Sequence, residues 1–206
     1  MSSISDLIRS NSTLKKIAGR LLIPKNDFRP RWWVRNILMP SLQKKGAGTI
    51  IRRSVRLDVF PFNEFALGSG VLLEEFSTIN NGVGPVRIGD KTIIGISNVI
   101  IGPVEIGRNV MLAQNVVVSA LNHGYEDISQ PPSVQKVQVE SVVISDNVWI
   151  GANAVITPGV TIGKHAVIGA GSVVTRDIPD YSVAVGTPAK VVKQYNFESS
   201  KWEKIT

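Results

Sequence analysis

IGANAVITPGVTIGKHAVIGAGSVVT, residues 150–175, repeats itself every six residues, with Ile150, Ile156, Ile162, Ile168 and Val174 at one spacing. An amphipathic helix places apolar residues at steps of three and four, and a half-buried strand places them at every second position, so neither explains a strict six. Counting outward finds the same period elsewhere. Leu67, Leu73 and Ile79 lead three hexads; after a slip, Ile88, Ile94, Ile100, Ile106, Leu112 and Val118 lead six more, and Ile144 opens the run quoted above. Four places after each lead stands a second residue, mostly small or β-branched, such as Val71, Ser77, Val83, Thr92, Val110, Ala154, Ala166 or Ser172, with Asn98 and Asn122 as the two asparagines. Glycine follows the lead at 68, 89, 95, 107, 151, 163 and 169, as expected where a chain turns a tight corner or another backbone comes close.

Short strands separated by corners, each offering one large and one smaller inward residue, describe a chain wound into a parallel solenoid whose coils bury a shared aliphatic column. Three hexads would close one triangular coil. The stretch TIIRRSVRLDVF, residues 49–60, fits the pattern weakly and is expected as an irregular opening coil.

The composition narrows the chemistry. With 206 residues and 43% hydrophobic content the chain can bury a substantial core. It has no cysteine, which excludes disulfides, thiolate metal sites and a cysteine nucleophile. Two histidines fall short of the three imidazoles that a γ-type carbonic anhydrase, another user of such solenoids, places on zinc, and no metal is expected.

Charge is unevenly placed. The net +7 divides into +8 over residues 1–48 and −1 over the rest. A nucleic-acid binder would be expected to carry its phosphate-facing charge on the folded platform, so no nucleic-acid partner is expected. No stretch is long and apolar enough to span a membrane, and MSSISDLIRSNSTLKK lacks the apolar centre of a secretory signal. The expected location is the cytoplasm, with the basic arm as a peripheral contact at the inner membrane surface.

The arm reads as helical. Ile4, Leu7, Ile8, Leu14, Ile17, Ala18, Leu21 and Leu22 follow helical spacing, with Ser3 or Ser5 as N-cap and Pro24 as stop. Trp32, Trp33, Val34, Ile37, Leu38 and Met39 then sit among arginines between Pro30 and Pro40, which suits a short second helix or an irregular apolar segment. These apolar faces either pack on the main body or lie on a membrane, where Trp and Arg are at home among headgroups.

The hexads, their glycines and the closing DIPDYSVAVGTPAK resemble the hexapeptide-repeat acyltransferases over residues 67–195. The resemblance implies an all-β fold, a left-handed parallel β-helix, in a homotrimer. The expected layout is a basic amphipathic helical arm at 1–48, the β-helix at 49–195 with an extruded loop at about 120–141, and a tail at 196–206.

Function is expected where the period breaks. Between Val118 and Ile144 runs SALNHGYEDISQPPSVQKVQVES, longer than one coil, polar, and carrying His123. In the galactoside, maltose and xenobiotic acetyltransferases that this segment resembles, a histidine just after a coil's end is the catalytic base, which makes His123 the candidate base. An imidazole suits the task, taking a proton from an acceptor hydroxyl or amine as it attacks a thioester carbonyl. By the same resemblance Asn115 is an acceptor-binding candidate. Asp127 or Glu126 is placed to orient the imidazole, with Asp127 also a substrate-binding candidate, and the alternative for both is a solvated loop charge. Ala152, Ala170, Thr175 and Arg176 would line the groove of the donor, acetyl-CoA. Lys190 and Lys193 would stand near its phosphates, and Trp149 beside its pantetheine arm or a neighbouring subunit. His165 reads as structural.

The reading that follows is an acetyl-CoA-dependent O-acetyltransferase acting on a sugar or polysaccharide precursor. A lipid-linked saccharide would reconcile the catalytic body with the basic arm. The alternatives are N-acetylation of an amino sugar, O-acetylation of an antibiotic, and a noncatalytic scaffold.

Overall fold

The computed structural model describes residues 11–25 and 29–205. Its body is three faces of parallel strands. Face one runs Lys44–Lys45, Phe65–Leu67, Val86–Ile88, Val104–Ile106, Val142–Ile144 and Thr161–Ile162. Face two runs Ile50–Ile51, Leu72–Leu73, Ile93–Ile94, Met111–Leu112, Trp149–Ile150, Val167–Ile168 and Ser182–Gly186. Face three runs Arg56–Asp58, Thr78–Asn80, Val99–Ile101, Val117–Ser119, Val155–Ile156 and Val173–Val174. Successive strands in the chain fall on successive faces, and neighbours within a face come from successive coils, which is a triangular solenoid, the left-handed β-helix.

The hexad leads stack on one another. On face two Leu73 pairs with Ile94, Ile94 with Leu112, Leu112 with Ile150 and Ile150 with Ile168. On face three Ile79 pairs with Ile100, Ile100 with Val118 and Val118 with Ile156. These side chains are buried, and each contributes about 1.5–3 kcal/mol relative to exposure. The second inward position of each hexad is buried as well, except at Val83 and Asn122, both exposed. Val83 falls in the slip between coils and Asn122 in the extruded loop, where the chain leaves the column.

Polar residues are tolerated at that second position because they bond the corners. Ser77 Oγ donates to the Gly95 carbonyl at 2.8 Å and accepts from the Asn98 N–H at 3.1 Å. Asn98 Nδ2 reaches the carbonyls of Gly95 and Ala113, both at 2.9 Å, and its Oδ1 accepts the Val116 N–H at 2.5 Å. A buried amide with both ends bonded avoids the cost of stranding polar atoms in the core.

The glycines after the leads serve clearance between coils. A Cβ on Gly151 would lie 2.6 Å from the Ala170 nitrogen, and one on Gly89 2.6 Å from the Gly107 carbonyl carbon. The left-handed backbone comes two residues later, at Lys91, Asn109, Asn115, Asn147, Asn153 and His165. Asparagine is common there because its short polar side chain tolerates that region.

Lys44 and Lys45, expected in the arm, already pair with Ala66 and Leu67, and Ile51 and Leu57 align with Leu73 and Ile79. The weakly patterned stretch at 49–60 thus supplies two faces of a coil in register, and Lys44–Lys45 supplies the third. The stretch expected as a tail, 196–206, extends face two: Lys201–Lys204 pairs antiparallel with Ala189–Asn196, which itself pairs antiparallel with Ser182–Gly186.

In the arm, an α-helix spans Ser12–Leu22 and ends before Pro24. Ile4, Leu7, Ile8 and the Ser3 or Ser5 cap lie outside the described residues. The second segment is a π-helical turn, Val34–Leu38, running into an α-helical turn, Met39–Leu42. The Met39 N–H bonds back to the Val34 carbonyl, and this widened turn lets two residues five apart face the same way. Both are buried, and with Leu22 they join the core cluster of Val59 and Phe65. The arm therefore covers the first coil. Among the described residues no helix is long and apolar enough to cross a membrane.

Candidate functional site

The extruded loop leaves face three after Val117–Ser119 and returns on face one at Val142–Ile144. Its base is an antiparallel bridge, Leu121 opposite Val139 and Asn122 opposite Gln138. The Gly124 N–H donates to the Lys136 carbonyl at 3.2 Å, and a Cβ on Gly124 would stand 2.7 Å from that oxygen. Glycine after His123 is what lets the two loop strands approach, and the bridge and this bond fix the backbone on both sides of His123.

The imidazole is exposed, and among the described residues it has no hydrogen-bond partner. The neighbouring carboxylates bond within the loop. Glu126 accepts the Tyr125 N–H and Gln138 Nε2, both at 2.9 Å. Asp127 accepts Ser129 Oγ at 2.6 Å, the Ser129 N–H at 2.9 Å and Gln130 Nε2 at 2.7 Å. The Tyr125 backbone N–H, with that of Glu126 and the Gln138 amide, holds the Glu126 carboxyl below the usual range. The Ser129 hydroxyl and N–H do the same for Asp127. The chain thus brings neither carboxylate onto His123; both order the loop that carries it. A cleft of about 630 Å³, lined by Glu126, Asp127, Lys136 and Gln138, lies within the loop's own fold.

The donor candidates gather elsewhere on the coil. Ala152 and Ala170 occupy the same corner, between faces two and three, on successive coils, where the Gly171 N–H bonds the Ala152 carbonyl at 2.8 Å. The closing turn folds onto that corner: the Gly186 N–H donates to Ser172 Oγ at 3.1 Å and Thr187 Oγ1 to the Gly171 carbonyl at 3.4 Å. Trp149 enters the corner on the outer side of face two, 49% exposed. Its cross-strand row continues through Val167 and Val183 to Lys193.

Lys190 pairs with Val185 and Lys193 with Val183, and the register shifts between them so that Val192 bulges out of the ladder. Opposed residues share a side, and Val183 and Val185 flank the inward Ala184, so the bulge sets both lysines outward on one side. A strand of strict alternation would have split them. Periodicity gave no sign of this, since the strand AKVVKQYN carries no hexad.

Thr175 and Arg176 are exposed at the opposite end of face three, the side from which the His123 loop leaves. Asn115 stands exposed at the other corner in the left-handed conformation, φ 57°, two residues before the strand that leads to the loop. On one chain, then, Trp149, Ala152, Ala170, Lys190 and Lys193 lie at one end of face three, with His123, Thr175 and Arg176 at the other. A three-residue strand spans about 10 Å between them. His165 is a left-handed corner residue, its Nε2 3.2 Å from Asn147 Nδ2 and its ring stacked on Tyr181. Among the described residues no group of three or more His, Cys, Asp or Glu is placed to hold a metal ion.

Comparison with known proteins matches residues 85–120 and 141–176 to the family described as bacterial transferase hexapeptide (six repeats). The gap between the two matches is the extruded loop. The chain is 35% identical over 149 residues to WbbJ of Escherichia coli (strain K12), provisionally named a lipopolysaccharide biosynthesis O-acetyl transferase, covering 68% of this chain and 74% of that one. Among solved structures, a maltose O-acetyltransferase from Clostridium difficile 630 is 30% identical with TM-score 0.55, over 92% of this chain and 88% of that one. AntD, an N-acyltransferase from Bacillus cereus in complex with dTDP and coenzyme A, superposes with TM-score 0.66 at 22% identity, over 77% and 86% of the two chains, a likeness of fold.

Proposed function

The chain belongs to the hexapeptide-repeat transferases and is an acyltransferase, and from that premise we propose that it moves acetyl from acetyl-CoA to a hydroxyl of a sugar or polysaccharide precursor, with His123 as general base. The observation that carries the reading is the extruded loop: it leaves the column closed beneath it, holds His123 exposed between two fixed backbone bonds, and belongs to a chain whose relatives include named O-acetyl transferases.

The unprotonated ring nitrogen of His123 accepts the acceptor hydroxyl's proton as its oxygen attacks the thioester carbonyl; the thiolate of coenzyme A leaves. Such a base contributes roughly 10² to 10⁴ in rate. Acetyl-CoA supplies the activated acyl group. The small side chains of Ala152 and Ala170 leave room for a thin pantetheine arm along the corner, Trp149 offers an exposed aromatic surface beside it, and Lys190 and Lys193 offer two cations to the phosphates. Thr175 and Arg176 extend the donor groove toward the loop, and Asn115 and Asp127 contact the acceptor.

Trp149, Ala152, Ala170, Lys190 and Lys193 lie at the end of face three away from His123, with Thr175 and Arg176 at the His123 end, an arrangement that suits a site completed by a second chain. In a homotrimer, His123 of one protomer would face donor residues that come partly from the next. A second reading, N-acetylation of an amino sugar, uses the same base and is supported by 48% identity over 101 residues to a 2,3,4,5-tetrahydropyridine-2,6-dicarboxylate N-acetyltransferase of Staphylococcus carnosus (strain TM300), covering 48% of this chain and 37% of that one.

The test is release of free thiol from acetyl-CoA by the purified protein over a panel of saccharides, lipid-linked saccharides, amino sugars and hydroxylated antibiotics. Acceptor-dependent release with a hydroxyl-only saccharide supports the assignment. Release restricted to amines moves it to N-acetylation, and acetyl-CoA that neither binds nor turns over refutes it.

A further inference from the structure

We infer that the arm covering the first coil presents a docking surface for an anionic lipid membrane. The turn that buries Val34 and Met39 leaves its other side outward: Trp32 is 66% exposed and Ile37 63%. Among the described residues, large apolar side chains held out by a segment whose own inward residues are already packed are left open to an outside partner.

The cations stand among them. Arg20, Arg31 and Arg35 are exposed, and an Arg31 guanidinium N–H donates to the Arg20 carbonyl at 3.2 Å, tying the helix Ser12–Leu22 to the Trp32 segment. A groove of about 380 Å³ opens beside them, with Trp32, Arg35 and Asn36 at the arm and Val55, Leu57 and Val59 from the first coil. Arg35, Asn36 and Gln43 make that groove largely polar, so it suits a lipid phosphate, while Trp32 and Ile37, both held outward, meet the acyl region.

Charge decides between occupants. The described arm residues, 11–25 and 29–43, hold seven Lys or Arg and no Asp or Glu, so a second copy of this surface would bring like charge against like, whereas an anionic bilayer attracts it. A nucleic acid would satisfy the arginines and offer nothing to Ile37. The inference does not depend on acetyl transfer, since its readout is partitioning.

The experiment is co-sedimentation of the full chain with vesicles of phosphatidylcholine alone and of phosphatidylcholine mixed with phosphatidylglycerol, at low and at high salt. The expected result is binding to the mixed vesicles that falls as salt rises, because exposed charges are screened. Arg20→Glu/Arg35→Glu should lower partitioning by at least about 30-fold, two surface cations being removed. Trp32→Ser/Ile37→Ser should lower it as well, while both variants keep the parent's melting temperature and acetyl-CoA binding. A chain that ignores mixed vesicles at low salt overturns the inference. So does binding untouched by Trp32→Ser/Ile37→Ser, which marks a general polyanion site, or variants that change only the oligomeric state, which marks an interface between copies.

Discussion

Val118 and Ile156 are direct partners in adjacent parallel strands, although the chain between them runs out through the whole extruded loop and back. Val104 meets Val142 across the same interruption, so the column closes beneath the loop as if it were one ordinary coil. The loop is an addition to a complete solenoid, and changes in one should be separable from changes in the other.

Ile156→Ala should therefore destabilise the fold by about 2–5 kcal/mol through the cavity it opens, and Ile156→Asp should abolish cooperative unfolding by burying an unpaired carboxylate. Urea denaturation measures both. A parental curve for Ile156→Asp would show that the hexad register is wrong.

The repeat was legible because the inward residue at each lead position pairs with its counterpart one coil on, so a period in sequence is a column in space. The first coil was obscured because its face-one lead is Lys45, exposed where the column ends, although Ile51 and Leu57 kept the spacing. The position of Lys190 and Lys193 on one side was illegible, because it depends on a bulge at Val192 that no residue type announces. His123 could be singled out from the broken period; the partners of Glu126 and Asp127 could not, since they lie in the folding of the loop on itself.

Lys190→Ala/Lys193→Ala should weaken acetyl-CoA binding about tenfold at low salt, with less effect at high salt, since each lysine acts on phosphate as an exposed point charge. Titration of acetyl-CoA into both proteins checks this. Equal affinity would remove the lysines from the donor site.

The loop should loosen in acid. Hydrogen bonds to the ionised carboxylates hold the pKa values of Asp127 and Glu126 below their unfolded values, so the order they confer is present above the unfolded pKa and is lost as pH falls through the folded one. Across neutral pH nothing should change. Below about pH 4 amide exchange at 121–140 should rise while the coils remain protected. A loop equally protected on both sides of that range would show that these bonds do not order it.

The most direct test of the whole account is the turnover of His123→Ala with acetyl-CoA and an accepted acceptor, alongside its acetyl-CoA affinity and melting temperature. The account predicts a fall in kcat of at least about 10²-fold with donor affinity and stability unchanged, because the variant removes a proton acceptor from an exposed loop and no contact from the column. A variant that turns over at close to the parental rate would contradict it.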